Sequence, residues 1–152
     1  MSPDAGLATE HDEADDSPGL LLWQVTNRWQ AAQRATLKPF GLTHVQFVLL
    51  ASLTWLTWLT AEGPVTQRRL ADHAVTDPMM TSQVLRALEG RGLLRRAPHP
   101  GDRRARALTV TADGRALANR AVVAVEACDR AFFGVLGGEG AALARMLRAL
   151  RG

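Results

Sequence analysis

The 152-residue sequence predicts one mainly α-helical domain that carries a single small β-hairpin. The composition is dominated by Ala, Leu and Arg, which favour helices. Apolar residues recur at three- and four-residue steps along most of the chain. Two short stretches with β character, LLRRAPH (93–99) and RARALTV (104–110), flank a turn at 100–102. A chain of this length can bury a real core.

Two helices are predicted in the first part of the chain. The first covers 19–38 and ends at Pro39, because proline cannot continue a helix. Its apolar stripe consists of Leu22, Val25, Trp29 and Ala32. The second runs from about Thr43, a suitable N-cap, to Ala61 and ends at the Gly-Pro pair 63–64.

The stretch 39–61 contains no Lys, Arg, Asp or Glu over 23 residues, and its length alone permits a membrane span. Polar residues such as His44, Gln46 and Ser52 interrupt it. Its leucines follow helical spacing. We therefore expect a helix that is buried on most sides in a protein core, with a membrane helix as the alternative.

A helix-turn-helix is predicted next. Thr66 caps a short helix, and Thr76 or Asp77 caps the following one, which has Pro78 in its first turn and ends at Gly90 or Gly92. The buried sides of the two helices are Leu70, Ala71 and Ala74, then Val84, Leu85 and Leu88. The opposite side of the second helix carries Met79, Ser82, Gln83 and Arg86.

Two further helices follow the hairpin. Thr111 begins a long helix over about 112–136. Glycines at 137, 138 and 140 interrupt the chain before a last short helix. The apolar stripes are Leu117, Ala121, Val125, Cys128 and Phe132 in the long helix, and Leu143, Met146, Leu147 and Leu150 in the last one.

The charge is distributed unevenly. Residues 1–19 contain six acidic and no basic residues, so with a net charge of +3 the remainder carries +9. We interpret residues 1–18 as a disordered acidic tail. An autoinhibitory arm that competes for the basic surface is the sharper alternative.

A helix-turn-helix followed by a hairpin is the winged form of that motif, and its chemistry suits duplex DNA. The major groove, about 12 Å wide, admits one helix whose exposed side chains reach base edges. Between residues 86 and 106 there are seven arginines and two acidic residues. The planar fork of arginine suits phosphates and guanine edges. A merely solvated basic face is the alternative.

Two other classes of protein are disfavoured. A winged module that contacts proteins is expected to have an apolar centre in its interface. Here the side chains expected to be exposed, Ser82, Gln83 and Arg86, are polar, and the wing tip is charged. The sequence lacks the common hydrolase, metalloprotease and phosphate-loop motifs, so we do not expect an enzyme.

The segment LLRRAPHPGDRRARALTVTADG (93–114) resembles the wing of the multiple-antibiotic-resistance regulator (MarR) family. The matching elements are Gly92-Leu93-Leu94, Arg95-Arg96, Asp102 with Arg104, and Thr111 with Gly114. The resemblance extends upstream through GPVTQRRLADHAVTDPMMTSQVLRALEGRG and, more loosely, over about 20–150. Val110 departs conservatively from the usual Leu.

The resemblance implies that Arg104 enters the minor groove while Asp102 holds its guanidinium in place. A narrow A·T-rich minor groove has an enhanced negative potential that attracts arginine. A simple turn-stabilising ion pair is the alternative for these two residues. The residues expected at the major groove are Met79, Thr81, Ser82, Gln83 and Arg86. The residues expected at the DNA backbone are Arg103, Arg106, Thr66, Gln67, Arg68 and Arg96.

The amphipathic helices at both termini predict a homodimer, and the resemblance implies that they interlock about a two-fold axis. We divide the chain into the tail 1–18, the dimerisation and core helices 19–62, the winged helix-turn-helix 63–111 and the C-terminal dimerisation helices 112–152. The expected function is that of a transcriptional regulator, more specifically a repressor, on a pseudo-palindromic operator.

Family members often release DNA when a small aromatic or phenolic ligand fills a cleft between the dimer helices and the winged domain. Candidate ligand contacts here are Trp23, Asn27, Trp29, His44 and Phe47, with core packing as the alternative for each. The scattered histidines predict no metal site and no cofactor. The single Cys128 is expected to be a packed thiol. The start of the chain lacks a signal-peptide pattern, which favours the cytoplasm.

Overall fold

The computed structural model describes residues 6–59 and 64–152. Its helices are α1 (Pro18–Leu37), α2 (His44–Leu59), α3 (Gln67–Ala74), α4 (Pro78–Gly90), α5 (Ala112–Phe133) and α6 (Gly140–Arg151). Its strands are β1 (Val65–Thr66), β2 (Leu94–His99) and β3 (Asp102–Val110), and 3₁₀ turns cover Ala14–Asp16, Lys38–Phe40 and Gly134–Glu139. The predicted fold class, mainly helical with a β wing, is confirmed.

Local capping sets the starts of the first two helices. The Ser17 hydroxyl accepts a hydrogen bond from the backbone N–H of Leu20 at 3.2 Å, and Pro18 occupies the first position of α1. Thr43 and Gln46 form a reciprocal capping box at α2, with bonds of 3.0 and 3.2 Å. The predicted end of α2 at Ala61 and the boundary at 62–63 lie outside the described residues.

The core is centred on α2. Leu49, Leu50 and Leu53 have no exposed surface, and α2 packs against α5, α3, α4 and β3. The predicted buried helix is therefore confirmed. No single helix within the described ranges is both long and apolar enough to cross a membrane. Pro18–Phe40 and His44–Trp58 reach that length and hydropathy only as a pair, across a 74° bend.

The helix-turn-helix has the predicted caps. Thr66 accepts a hydrogen bond from the N–H of Arg69 at 3.1 Å to begin α3. Asp77, rather than Thr76, caps α4 by accepting from the N–H of Met80 at 2.9 Å. The turn between α3 and α4 places Val75 in the left-handed region at φ +53°, which is unusual for a β-branched side chain.

The wing contains one strand more than the sequence predicted. Strands β2 and β3 form the expected antiparallel hairpin, and β1 pairs with the other edge of β3 through Val65–Leu108 and Thr66–Ala107. Val65 is buried in the core. Two residues are too few to show the alternation that identifies a strand, so β1 was missed.

The C-terminal helices differ from the prediction at their junction. Helix α5 ends at Phe133 rather than near 136, and a 3₁₀ segment bends at Gly137, whose φ is +57°. At the start of α5 a side chain on Gly114 would lie 1.9 Å from the carbonyl oxygen of Leu93, so this close approach requires glycine. Helix α6 has no buried residue.

The predicted stripe of α1 is largely uncovered. Leu22 and Val25 are exposed, whereas Gln33 and Leu37 are the buried residues of this helix. The acidic segment before α1 has a capping box at Glu13 and one 3₁₀ turn with no buried residue. Residues 1–5, which include Asp4, lie outside the described part.

Candidate nucleic-acid interface and adjoining cleft

Helix α4 presents a polar face to solvent. Met79 is 73% exposed, Gln83 and Arg86 are exposed, and Ser82 is half-buried beside them. The opposite face is anchored by Leu85 and Leu88, which have no exposed surface. Burial of one face therefore fixes which side chains α4 offers to a partner.

Thr81 does not belong to that exposed face. Its side chain is fully buried, and its hydroxyl donates to the carbonyl oxygen of Asp77 at 2.8 Å and lies 2.7 Å from the hydroxyl of Thr76. The expectation that Thr81 faces the major groove is corrected here: Thr81 ties the first turn of α4 to the preceding turn.

The start of α3 brings three predicted backbone contacts together. Thr66 accepts from the N–H of Arg69, which leaves its hydroxyl hydrogen available to another acceptor. Gln67 is half-buried, with its Oε1 3.4 Å from Nη1 of Arg96. Arg68 is exposed.

Arg96 points toward the protein rather than toward solvent. Its side chain is 16% exposed, and its Nη2 lies 3.4 Å from Oε1 of Glu89 on α4. The backbone N–H of Arg96 also donates to Oε2 of Glu89 at 3.0 Å. Arg96 thus joins β2 to α4 and, through Gln67, to α3. Its Nε is buried without a hydrogen-bond partner among the described residues.

The wing tip carries exposed positive charge. Arg103, Arg104 and Arg106 are all exposed on β3. The pairing of β2 with β3 is irregular at Pro98 and His99, next to the tip. Asp102 accepts a hydrogen bond from the backbone N–H of Arg104 at 2.9 Å. This corrects the expected contact with the guanidinium, because Asp102 orders the backbone of Arg104 and leaves its side chain free to extend.

A cleft of about 990 Å³ lies between α2 and α5, next to α3. Its lining residues on α2 and α3 are Phe47, Ala51, Ser52, Thr54, Trp55, Trp58 and His73. On α5 they are Arg115, Ala118, Asn119, Val122, Val125, Glu126 and Asp129. The guanidinium carbon of Arg115 lies 6.0 Å from the ring centre of Trp58.

The five predicted ligand contacts do not lie at one site in the structure. Phe47 lines the cleft. Trp29 and His44 do not line it. Their rings lie edge to face at 5.0 Å, and Nε1 of Trp29 donates to Asp129, a lining residue, at 2.8 Å. Trp23 is 69% exposed, and its carbonyl accepts from Asn27 at 2.7 Å. Trp23 and Asn27 therefore do not contribute to this cleft.

The sequence carried a signal for the missed α5 residues. Arg115, Asn119, Glu126 and Asp129 follow one another at steps of four, seven and three, which places polar groups on the helix face that also bears Ala118 and Val125. Gln33, fully buried on α1, donates to Asp129 at 2.6 Å. Asp129 thus connects the cleft to α1.

The environment of His44 disfavours its charged form. Burial lowers the pKa of His44 below the usual 6.5; the Asp129 carboxylate opposes this shift, and the charge of Arg34 adds to it. Burial and Arg34 therefore favour the neutral form of the His44 ring, which packs against Trp29.

Comparison with known proteins decides the family. The model of the MarR family matches residues 42–105, from the start of α2 into the wing. An uncharacterised HTH-type transcriptional regulator of Bacillus subtilis (strain 168), YdcH, is 44% identical over 118 residues, which is 77% of this chain and 78% of that one. The chain belongs to the MarR family.

Two further MarR-type proteins connect this fold with DNA and a ligand. The HTH-type transcriptional repressor Rv2887 of Mycobacterium tuberculosis is 38% identical over 117 residues, 76% of this chain and 80% of that one. Its complex with DNA aligns with 34% identity over 88% of this chain and 97% of that one, with a TM-score of 0.65. BpsR of Bordetella bronchiseptica, whose DNA binding is regulated by 6-hydroxynicotinic acid, aligns with 28% identity over 91% and 96% of the two chains, with a TM-score of 0.81.

The predicted class of protein is thereby confirmed. This MarR-family member is a transcriptional regulator and not an enzyme.

Proposed function

We propose that this MarR-family regulator is a cytoplasmic homodimeric repressor of a pseudo-palindromic operator, released by a small aromatic ligand. The observation that carries DNA binding is the wing tip. The guanidinium groups of Arg103, Arg104 and Arg106 have no hydrogen-bond or ion-pair partner within the described ranges. Positive charge that a fold leaves unpaired on an exposed hairpin is available to the phosphate polyanion.

Each exposed group has a proposed place on the duplex. Met79, Ser82, Gln83 and Arg86 face the major groove, where Gln83 suits adenine and Arg86 suits guanine. Arg104 enters the minor groove, and Arg103 and Arg106 contact phosphates. Arg68 and the N-terminal turn of α3, with Thr66 and Gln67, approach the backbone.

The homodimer is supported by apolar surface that one chain leaves open. In α1, Leu22 is 55% and Trp23 is 69% exposed; in α6, Met146 is 54% and Leu150 is 78% exposed. Exposed apolar faces at both ends of a chain mark a protein interface. A two-fold dimer would present two copies of α4 to major-groove segments about 34–36 Å apart.

The proposals of repression and of release by a ligand are supported by the relatives and by the cleft. Rv2887 is named a repressor, and BpsR responds to an aromatic acid. The cleft of this chain lies between α2 and α5. Helix α2 packs against α3 and α4, and α5 follows the wing in the chain. A ligand that prefers one spacing of these helices shifts the population of DNA-binding conformers.

Selection of DNA from a random pool by the purified full-length protein tests this function. We expect enrichment of two-fold sites whose half-sites are about one helical turn, or 10–10.5 base pairs, apart. If no sequence is enriched at low salt, the proposed operator function is wrong and a winged module that contacts proteins takes its place.

A further inference from the structure

We propose that the cleft between α2 and α5 binds an aromatic amine in its cationic form, with the ammonium group at Asp129 and the ring beside Phe47 and Trp55. The inference rests on the proposed function, because it specifies the chemical class of the ligand that releases DNA. It follows from the hydrogen bonds, the charges and the walls of the cleft.

The hydrogen bonds around Asp129 leave acceptors without donors. Oδ1 of Asp129 accepts from Nε1 of Trp29 at 2.8 Å and from Nε2 of Gln33 at 2.6 Å. Oδ2 accepts no hydrogen bond from the described residues, and Asp129 lines the cleft. The Oε1 atom of Gln33 also lacks a donor within the described part of the chain, but Gln33 is fully buried and does not line the cleft. An ammonium group carries three donors and no acceptor, so it can supply the hydrogen bond that Oδ2 of Asp129 lacks.

The charges along the cleft favour a cation at that end. Glu126 and Asp129 lie one turn apart on α5 and both line the cleft. Arg115 lies 14 residues before Asp129, a distance of about 21 Å along the helix axis. The two carboxylates repel an anionic group at this end, while Arg115 repels an ammonium group from the other. The charges of the cleft therefore determine both the sign of the ligand's charge and the orientation of the ligand.

The walls of the cleft suit a flat ring. Ala51, Ala118 and Val122 provide small apolar surface, and Phe47 and Trp55 provide aromatic surface. Trp55 is 61% exposed despite its size. Aromatic faces also attract ammonium groups directly.

Isothermal titration calorimetry of the full-length protein with tryptamine and with indole-3-propionate tests the proposal, because the two probes share a ring and differ in charge. We expect tryptamine to bind at least tenfold more tightly. Asp129→Asn keeps an acceptor for Trp29 and Gln33 but loses the charge, and we expect it to weaken tryptamine binding about tenfold or more. Glu139→Gln, an exposed carboxylate outside the cleft, is the matched control and leaves the affinity unchanged.

Thermal unfolding of each variant shows whether it is folded. If Asp129→Asn is not, Glu126→Gln tests the same charge, with an expected loss of about threefold. Equal binding of the two probes, preference for indole-3-propionate, no heat at millimolar tryptamine, or unchanged affinity in the folded cleft variant overturns the inference. Operator binding is measured in parallel without ligand. A protein that binds DNA but not tryptamine contradicts this inference alone, and one that binds tryptamine but not DNA contradicts the proposed function.

Discussion

Arg96 and Arg104 lie in the same basic hairpin, but the fold surrounds them differently. Arg96 pairs with Glu89 and is mostly buried, whereas Arg104 is exposed and its backbone is held by Asp102. A partly buried ion pair restricts the position of the Arg96 side chain, while the exposed guanidinium of Arg104 retains its freedom to bind a ligand. The sequence alone cannot separate these roles, because both residues stand in an arginine-rich strand.

Truncation of Arg104 tests the exposed role. We expect Arg104→Ala to weaken operator binding by about 1–3 kcal/mol, because one groove contact is lost. Titration at fixed salt measures this change. Arg120→Ala, which removes an exposed arginine of α5, is the control and leaves the affinity nearly unchanged. An equal loss in both variants would show that only total charge matters.

His44 gives a pH dependence of stability. Because burial lowers its pKa in the folded chain, the unfolded chain takes up the proton more readily, and stability falls as the pH drops below 6.5. We expect urea unfolding to show a larger loss between pH 7.5 and pH 5.5 for the native protein than for His44→Gln. His73→Gln, at an exposed position, should keep the native dependence. If His44→Gln lost as much stability as the native protein over this pH range, His44 would not be the source of the pH dependence.

At the scale of elements, the wing and α4 form one unit. Glu89 accepts hydrogen bonds from the backbone N–H and from the guanidinium of Arg96, and Arg96 also donates to Gln67 on α3. These bonds connect the hairpin to both helices. The arrangement favours a positioning role for Arg96 over the phosphate contact that the sequence predicted.

The salt dependence of DNA binding distinguishes these two roles. We expect Arg96→Met to lower the free energy of unfolding by about 1–3 kcal/mol, because Glu89 loses its partner. Operator affinity should also fall, but the slope of log affinity against log salt should not change. Arg68→Ala, at an exposed proposed phosphate contact, should reduce the slope by about 1. A reduced slope in Arg96→Met would restore the predicted phosphate contact.

Local sequence signals account for most element boundaries. Ser17, Thr66, Asp77 and Thr111 each cap a helix through a side-chain oxygen, a bond that depends only on neighbouring residues. Thr81 was expected on the exposed face of α4. It precedes the buried Leu85 by four residues, and this helical spacing places it on the buried face instead. Strand β1 depends on β3, more than forty residues later, which no local pattern reveals.

At the scale of the whole molecule, the cleft brings together residues that lie far apart in the sequence. Phe47 was predicted, but Asp129 joins it only because α5 returns across α2 and α1. The sequence predicts the amphipathic helices α1, α5 and α6 at the dimer interface, and α1 and α6 leave large apolar side chains exposed in the single chain. These surfaces and the two-fold operator belong to one proposal, since a second copy of the chain would cover the helices and duplicate α4 and the wing.

Hydroxyl-radical footprinting on the selected operator tests this two-fold arrangement, because the radical attacks deoxyribose from the minor groove, where Arg104 is proposed to lie. We expect protection on both strands with two-fold symmetry: two half-sites about 10–10.5 base pairs apart, each flanked by a protected minor-groove segment. One unsymmetrical patch, or two half-sites whose flanking minor grooves remain open to the radical, would contradict it.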